Sequence, residues 1–186
     1  MNRSLQQGLG LVVHDFIDPA RARDLGAQLR EYLRRSTARP DGQCPDSPAV
    51  YNFVPLVELL LEKLPEMSAR VEESLFPTFC YARSYVHGSK LDAHVDRPSS
   101  EVSATLNLDQ DRPWPIYLGH RVKGVREVDL SPGQAVIYLG CETTHWREPF
   151  EGTSYEQVFL HYVRSRGKYA SACFDNRTPQ INGVRY

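Results

Sequence analysis

The sequence predicts an α+β fold, helices first and strands after, in one domain. Apolar residues recur at helical spacing in two segments before residue 76. From Thr78 onward, β-branched and aromatic residues come in short runs separated by turn chemistry. The length of 186 residues suits a single hydrophobic core. A helical part is expected over 1–76, a strand core over 78–163 and an extension over 164–186.

In chain order, "LVVHDF" (11–16) reads as a short strand. Asp18 reads as an N-cap, with Pro19 at the first helical position. Leu25, Leu29, Tyr32 and Leu33 then follow at helical spacing, which predicts an amphipathic helix over 19–35. Its arginines are interrupted by Asp24 and Glu31, as on a solvated helix face. "STARPDGQCPDSP" (36–48) is a loop by composition. Pro55 suits the first turn of a second helix over 56–64, which Pro65 is expected to end or kink. Strands are expected at 78–86, 101–108, 114–119, 124–130, 135–140, 145–149 and 155–163, closing a sandwich or a jelly roll. "SPGQ" (131–134) suits a type II turn. Residues 164–186 show no period and are read as a lid, a tail or an interface arm.

Apolar residues at 41% and charged residues at 24% place the chain among soluble globular proteins. A net charge of −1 gives no general attraction to nucleic acid or to anionic membranes. No apolar run is long enough for a signal peptide or a membrane span, so a cytoplasmic location is expected. Cys44, Cys80, Cys141 and Cys173 lie far apart with no C-x-x-C pair, and are expected to be reduced thiols, with one or two bridges left open as the alternative.

The stretch "LDAHVDRP" (91–98) carries the chemistry. His94 and Asp96 are two residues apart, so on an extended chain both side chains point the same way and can meet one ion. Alone, such a pair also fits a solvated turn. "CETTHWREP" supplies His145, about fifty residues on, at the start of a later strand. Two imidazoles and one carboxylate on one face, with coordination positions left open, form the facial triad of non-haem Fe(II) oxygenases.

The order of helix, strands, "HVD", strands, "PGQAVIYLG", His145 and the final "FLHYV" resembles the 2-oxoglutarate- and Fe(II)-dependent dioxygenases, in their prolyl-hydroxylase-like branch. The likeness covers about residues 78–163. It implies a double-stranded β-helix (jelly-roll) core with the N-terminal helices packed on one sheet. It also implies Fe(II) held by His94, Asp96 and His145, and 2-oxoglutarate and O2 as co-substrates, with succinate and CO2 released. Asp96 stands where related halogenases carry a small residue, which implies hydroxylation rather than halogenation; the resemblance implies a small molecule or a peptidyl residue as the substrate class. The chain departs from the family at one place. The last-strand cation that holds the far carboxylate of 2-oxoglutarate is replaced here by Ser154, Tyr155, Glu156 and Gln157. Arg147, two residues past His145, is the expected substitute, helped by Arg83. Tyr85, Thr105, Asn107 and Gln157 are expected to add hydrogen bonds. Two other readings stand beside this one: a jelly-roll sensor or binding protein that holds a metal without turnover, and an AlkB-like dealkylase. The second lacks the basic, aromatic groove that nucleic acid requires. The substrate itself and the oligomeric state are open.

Overall fold

Asp18 caps the first long helix: its Oδ1 accepts from the backbone N–H of Ala20 at 2.8 Å and of Arg21 at 3.1 Å, and Pro19 opens the first turn. The computed structural model describes residues 1–6, 8, 10–36, 41–120, 124–176, 180–181 and 184–185. The helices are α1 (Arg3–Gln6), α2 (Pro19–Arg35) and α3 (Val54–Val71). The strands are β1 (Leu11–Val13), β2 (Ala49–Tyr51), β3 (Leu75–Tyr85), β4 (Leu91–His94), β5 (Val102–Gln110), β6 (Ile116–His120), β7 (Gly124–Val128), β8 (Ala135–Tyr138), β9 (Thr144–Arg147) and β10 (Tyr155–Arg164). A last small pair, β11 (Gln180–Ile181) and β12 (Val184–Arg185), follows.

Most expected elements are present with shifted ends. Helix α3 does not end at Pro65 but runs on to Val71. Proline removes one helical hydrogen bond, yet Leu56, Leu59, Leu60, Met67 and Val71 bury one continuous face across it, and that burial carries the helix through. Strands β2 and β4 and helix α1 were not expected; each is four residues or fewer and shows no periodicity of its own. Part of the expected loop over 36–48 lies outside the described residues. The extension beyond β10 folds back through a 3-10 stretch (Ala170–Asn176) that packs beside β3. The "SPGQ" turn is as expected: Gln134 N–H donates to Ser131 O at 2.9 Å, and Gly133 sits at φ +88°. A Cβ there would also meet the Ile17 carbonyl at 2.5 Å.

Two antiparallel sheets result. The larger has the order β1-β8-β5-β10-β3-β2 and the smaller β4-β9-β6-β7. Strict alternation on the central strands decides what faces where. On β5, Val102, Ala104, Leu106 and Leu108 join one buried cluster with Leu25, Leu29 and Leu33 of α2 and Leu56 and Leu60 of α3. Ser103, Thr105 and Asn107 occupy the opposite face and are also buried. On β10, Val158, Leu160 and Tyr162 likewise meet the helices, while Tyr155, Gln157, Phe159 and His161 turn inward. The Tyr162 hydroxyl donates to Leu60 O at 2.9 Å, tying β10 to α3. The inner faces of the two sheets meet through a cluster of Ile116, Leu118, Val128, Val136 and Tyr138. The four cysteines are free thiols. Among the described residues no helix is long and apolar enough to cross a membrane.

Glu156, fully buried on the helix side of β10, accepts from Arg30 Nη1 at 2.7 Å, Ser154 Oγ at 2.9 Å and Ser84 Oγ at 3.0 Å. Removing the cation leaves a buried carboxylate with hydroxyl partners only. Arg30→Met is therefore expected to destabilise the fold by about 2 kcal/mol, a value reduced for the partial exposure of Arg30. Urea unfolding monitored by circular dichroism checks it.

Candidate metal centre and active site

Strands β4 and β9 pair antiparallel, with Leu91 opposite Arg147 and His94 opposite His145. Three residue steps on β4 (91 to 94) match two on β9 (147 to 145), so β4 carries a one-residue bulge. A bulge re-aims the side chains beyond it, and here it brings the two imidazoles together, with ring centroids 4.2 Å apart and planes inclined at 52°. Just beyond β4, the Asp96 N–H donates to Gly140 O at 2.8 Å, which holds the backbone at this residue. Asp96 Oδ1 lies 3.7 Å from His94 Nε2 and 3.6 Å from His145 Nε2. The donor atoms of His94, Asp96 and His145 lie within 4.8 Å of one another.

The hydrogen bonds behind these groups suit metal binding. His94 Nδ1 lies 2.8 Å from Asp92 O, and His145 Nδ1 lies 3.0 Å from Thr143 O. A carbonyl only accepts, so each Nδ1 carries the proton and each Nε2 presents a lone pair to the centre. Burial, reinforced by the neighbouring His94, pushes the His145 pKa down to about 4, so its imidazole is neutral at physiological pH. Burial also pushes the Asp96 carboxyl up from its ordinary value, against the opposing influence of His161 and His94. A divalent cation would reverse that shift. Asp96 Oδ2 accepts from Ser103 Oγ at 3.0 Å, and Ser103 Oγ lies 2.9 Å from His161 Nδ1. The donor set, its tautomers and its supporting bonds thus fit a metal such as Fe(II). His161 is buried and its pKa lies at about 4, again through burial.

His94, Asp96, His145, Arg83 and Tyr85 line one cavity of about 240 Å³. Arg147, Gln157, Thr105 and Asn107 are buried but lie outside its wall. Arg147 is only 2% exposed; its Nη1 donates to Trp114 O, and its Nη2 donates to Gln157 Oε1 at 2.6 Å and to the Tyr155 hydroxyl at 3.4 Å. The guanidinium lies 4.5 Å from the Trp114 ring centroid and 4.9 Å from that of Tyr155. Among the described residues no carboxylate pairs with it. Arg83, opposite Gln157 in register, instead donates from Nη2 to Asp41 Oδ2 at 2.5 Å. Thr105 Oγ1 lies 3.1 Å from the Tyr138 hydroxyl. Asn107 Nδ2 donates to Leu130 O at 2.7 Å, bracing β5 against the turn before β8.

Sequence reasoning missed Asp41, Gln43, Ser103 and Gly140. Gln43 Nε2 lies 3.1 Å from His94 Nε2 and must swing aside for that imidazole to bind a metal. The polar alternation Ser103, Thr105, Asn107 was a usable signal. Nothing in the loop composition marked Asp41 or Gln43.

This is the fold of the 2-oxoglutarate- and Fe(II)-dependent oxygenases. No family model matches the sequence, and no curated protein matches it. Among solved structures, a prolyl-4-hydroxylase of Pseudomonas putida is similar with a TM-score of 0.69 at 18% identity, over 88% of this chain and 96% of that one. HygX of Streptomyces hygroscopicus, with nickel and 2-oxoglutarate bound, is similar at 0.65 and 12% identity over 89% and 88%. A prolyl hydroxylase of Trichoplax adhaerens, in complex with a hypoxia-inducible-factor peptide, is similar at 0.67 and 10% identity over 86% of each chain.

Two outcomes are expected. A Cβ on Gly140 would lie 2.2 Å from Ser100 O and 2.5 Å from Asp96 Oδ2. Gly140→Ala should therefore displace Asp96 and weaken Ni(II) binding about 10- to 100-fold, as loss of an outer-shell support does; calorimetric titration measures it. The second outcome concerns pH. In the metal-free protein His145 and His161 stay neutral down to about 4, whereas in the unfolded chain they take up protons near 6.5. The unfolded state then binds more protons, so these groups make stability fall as pH drops from about 6.5 to 4. His161→Gln should flatten that slope relative to the parent chain, as read by urea midpoints across the window.

Proposed function

We propose that the two sheets close as a jelly roll, a double-stranded β-helix with the N-terminal helices on its larger sheet. We further propose that the chain is a non-haem Fe(II)- and 2-oxoglutarate-dependent oxygenase, hydroxylating a C–H bond of a small molecule or a peptidyl residue in the cytoplasm. The convergence of His94, Asp96 and His145 at one cavity carries this reading, and the shared fold supports it. When bound, Fe(II) with 2-oxoglutarate and O2 supplies the oxidising chemistry, releasing succinate and CO2. The chain's part is to hold and orient. His94 and His145 offer Nε2 lone pairs, and Asp96 offers a carboxylate braced by Ser103.

Arg147 is the proposed partner of the 5-carboxylate. It follows His145 by two residues on β9, about 7 Å at the usual strand rise, a separation suited to the two ends of a five-carbon diacid. Its charge is buried with only neutral partners, and its Nε has none. A buried cation in that state favours an incoming anion. Gln157, whose Nε2 is also unpartnered, lies beside it.

The competing reading, a protein that holds metal without turnover, is tested by anaerobic addition of Fe(II) and 2-oxoglutarate followed by oxygen. A visible charge-transfer band and then succinate are expected; a band without succinate favours the binding protein. Arg147→Met should raise the KM for 2-oxoglutarate at least about tenfold and leave Fe(II) affinity unchanged. An unchanged KM rejects Arg147 as the anchor.

A further inference from the structure

The geometry points to a second anion position in the same cavity: Arg83 and Tyr81 receive a carboxylate of the primary substrate, which takes the place of Asp41. This rests on the reading that Arg147 serves 2-oxoglutarate.

Arg83 is 1% exposed and lines the cavity that holds His94, Asp96 and His145. Its Nη2 donates to Asp41 Oδ2 at 2.5 Å, and the Tyr81 hydroxyl donates to the same oxygen at 2.6 Å. Nε and Nη1 of Arg83 are buried with no hydrogen-bond partner, and the nearby Cys44 thiol is at most a weak acceptor. The guanidinium fork thus uses one nitrogen where a carboxylate in two-point contact would use two.

Asp41 has the character of a displaceable occupant. Its side chain is 41% exposed and belongs to a loop rather than a strand. Its other oxygen only closes a local turn, accepting from the N–H of Gln43 at 2.9 Å and of Cys44 at 3.0 Å. The same loop lays Gln43 on His94 Nε2. One movement of residues 41–43, ahead of the buried Cys44 whose thiol donates to Lys90 O at 2.9 Å, therefore frees a guanidinium and a metal-ligating imidazole together. The other cation at the cavity, Arg97, is already matched through both terminal nitrogens by Asp175, at 2.6 and 3.0 Å. Exchange of Asp41 for a substrate carboxylate keeps the cavity neutral. A neutral analogue that lifted the loop would leave Arg83 buried and unpaired, so the site rejects it. Tyr51, Phe79 and Phe159 form the adjoining wall, suited to an apolar body behind the acid group.

The test uses acetate, benzoate and 3-phenylpropanoate, together with a tripeptide bearing a free C-terminus, each paired with its carboxamide. Binding is measured by calorimetry to the chain loaded with Ni(II) and saturating 2-oxoglutarate, and to the unloaded chain. At least one acid should bind about tenfold more tightly than its amide, and whether it is a small acid or the peptide identifies the source. Arg83→Gln should remove that preference and leave the Kd for 2-oxoglutarate within about twofold. Asp41→Asn should tighten acid binding severalfold, because the internal competitor is weakened. No acid preference in any pair overturns the proposal, as does weaker acid binding in Asp41→Asn. A raised Kd for 2-oxoglutarate in Arg83→Gln also overturns it, assigning Arg83 to the co-substrate. If the parent chain binds no 2-oxoglutarate, the oxygenase reading fails, while the acid and amide comparison on the unloaded chain still decides Arg83.

Discussion

Two guanidinium groups buried between facing sheets set the terms for the rest of this structure. Arg83 and Arg147 are each almost inaccessible to solvent, and a buried cation is costly unless oxygen atoms and counter-charges surround it. The fold answers in two ways. Arg147 lies against the rings of Trp114 and Tyr155 and is held by a backbone carbonyl and an amide oxygen. Arg83 lies near the rings of Tyr81 and Tyr85 and takes a carboxylate from a loop. One cation has a counter-charge from a half-exposed loop residue, and the other has none among the described residues. Arg147 shares its strand with His145, and Arg83 lies on the strand that precedes that of His94.

Such an interior is affordable because the central strands are buried on both faces. The outward row of β5 and β10 packs on α2 and α3 within the largest apolar cluster. The inward row is then free to be polar, provided its groups are paired: Thr105 with Tyr138, Ser103 with Asp96 and His161, Asn107 with Leu130 O. Of the exceptions, Asn107 and Gln157 sit on this inward row, while Arg83 lies opposite Gln157 on the neighbouring β3 and Arg147 reaches Gln157 from β9. Stability is thus placed on the helix side and chemistry on the other.

The metal ligands depend on placement rather than on strand length. A bulge in a four-residue strand sets His94 against His145, and a glycine just past β8 leaves room for Asp96. The access side is less regular. Residues 41–43 reach the cavity through side-chain bonds from Asp41 and Gln43, not a strand ladder, while the buried Cys44 and Ser47 anchor the turn behind them. Segments held this way open at lower cost than the sheets they cover.

The sequence by itself determined whatever acts over a few residues. The Asp18-Pro19 helix start, the Pro-Gly turn at 131–134 and the alternation of β5 follow from local sterics and hydrogen bonding. His94, Asp96 and His145 were legible because the chemistry of their side chains restricts what they can do together. Only the tertiary structure decided the remainder. Local rules put an end or a kink at Pro65, but a face buried on both sides of it carried the helix past. Arg83 and Arg147 look alike in the sequence, yet one faces the cavity and carries Asp41, 42 residues away, while the other lies behind its wall. Which carboxylate reaches which guanidinium depends on how sheets and loops pack over such separations, and a linear pattern carries no record of that packing.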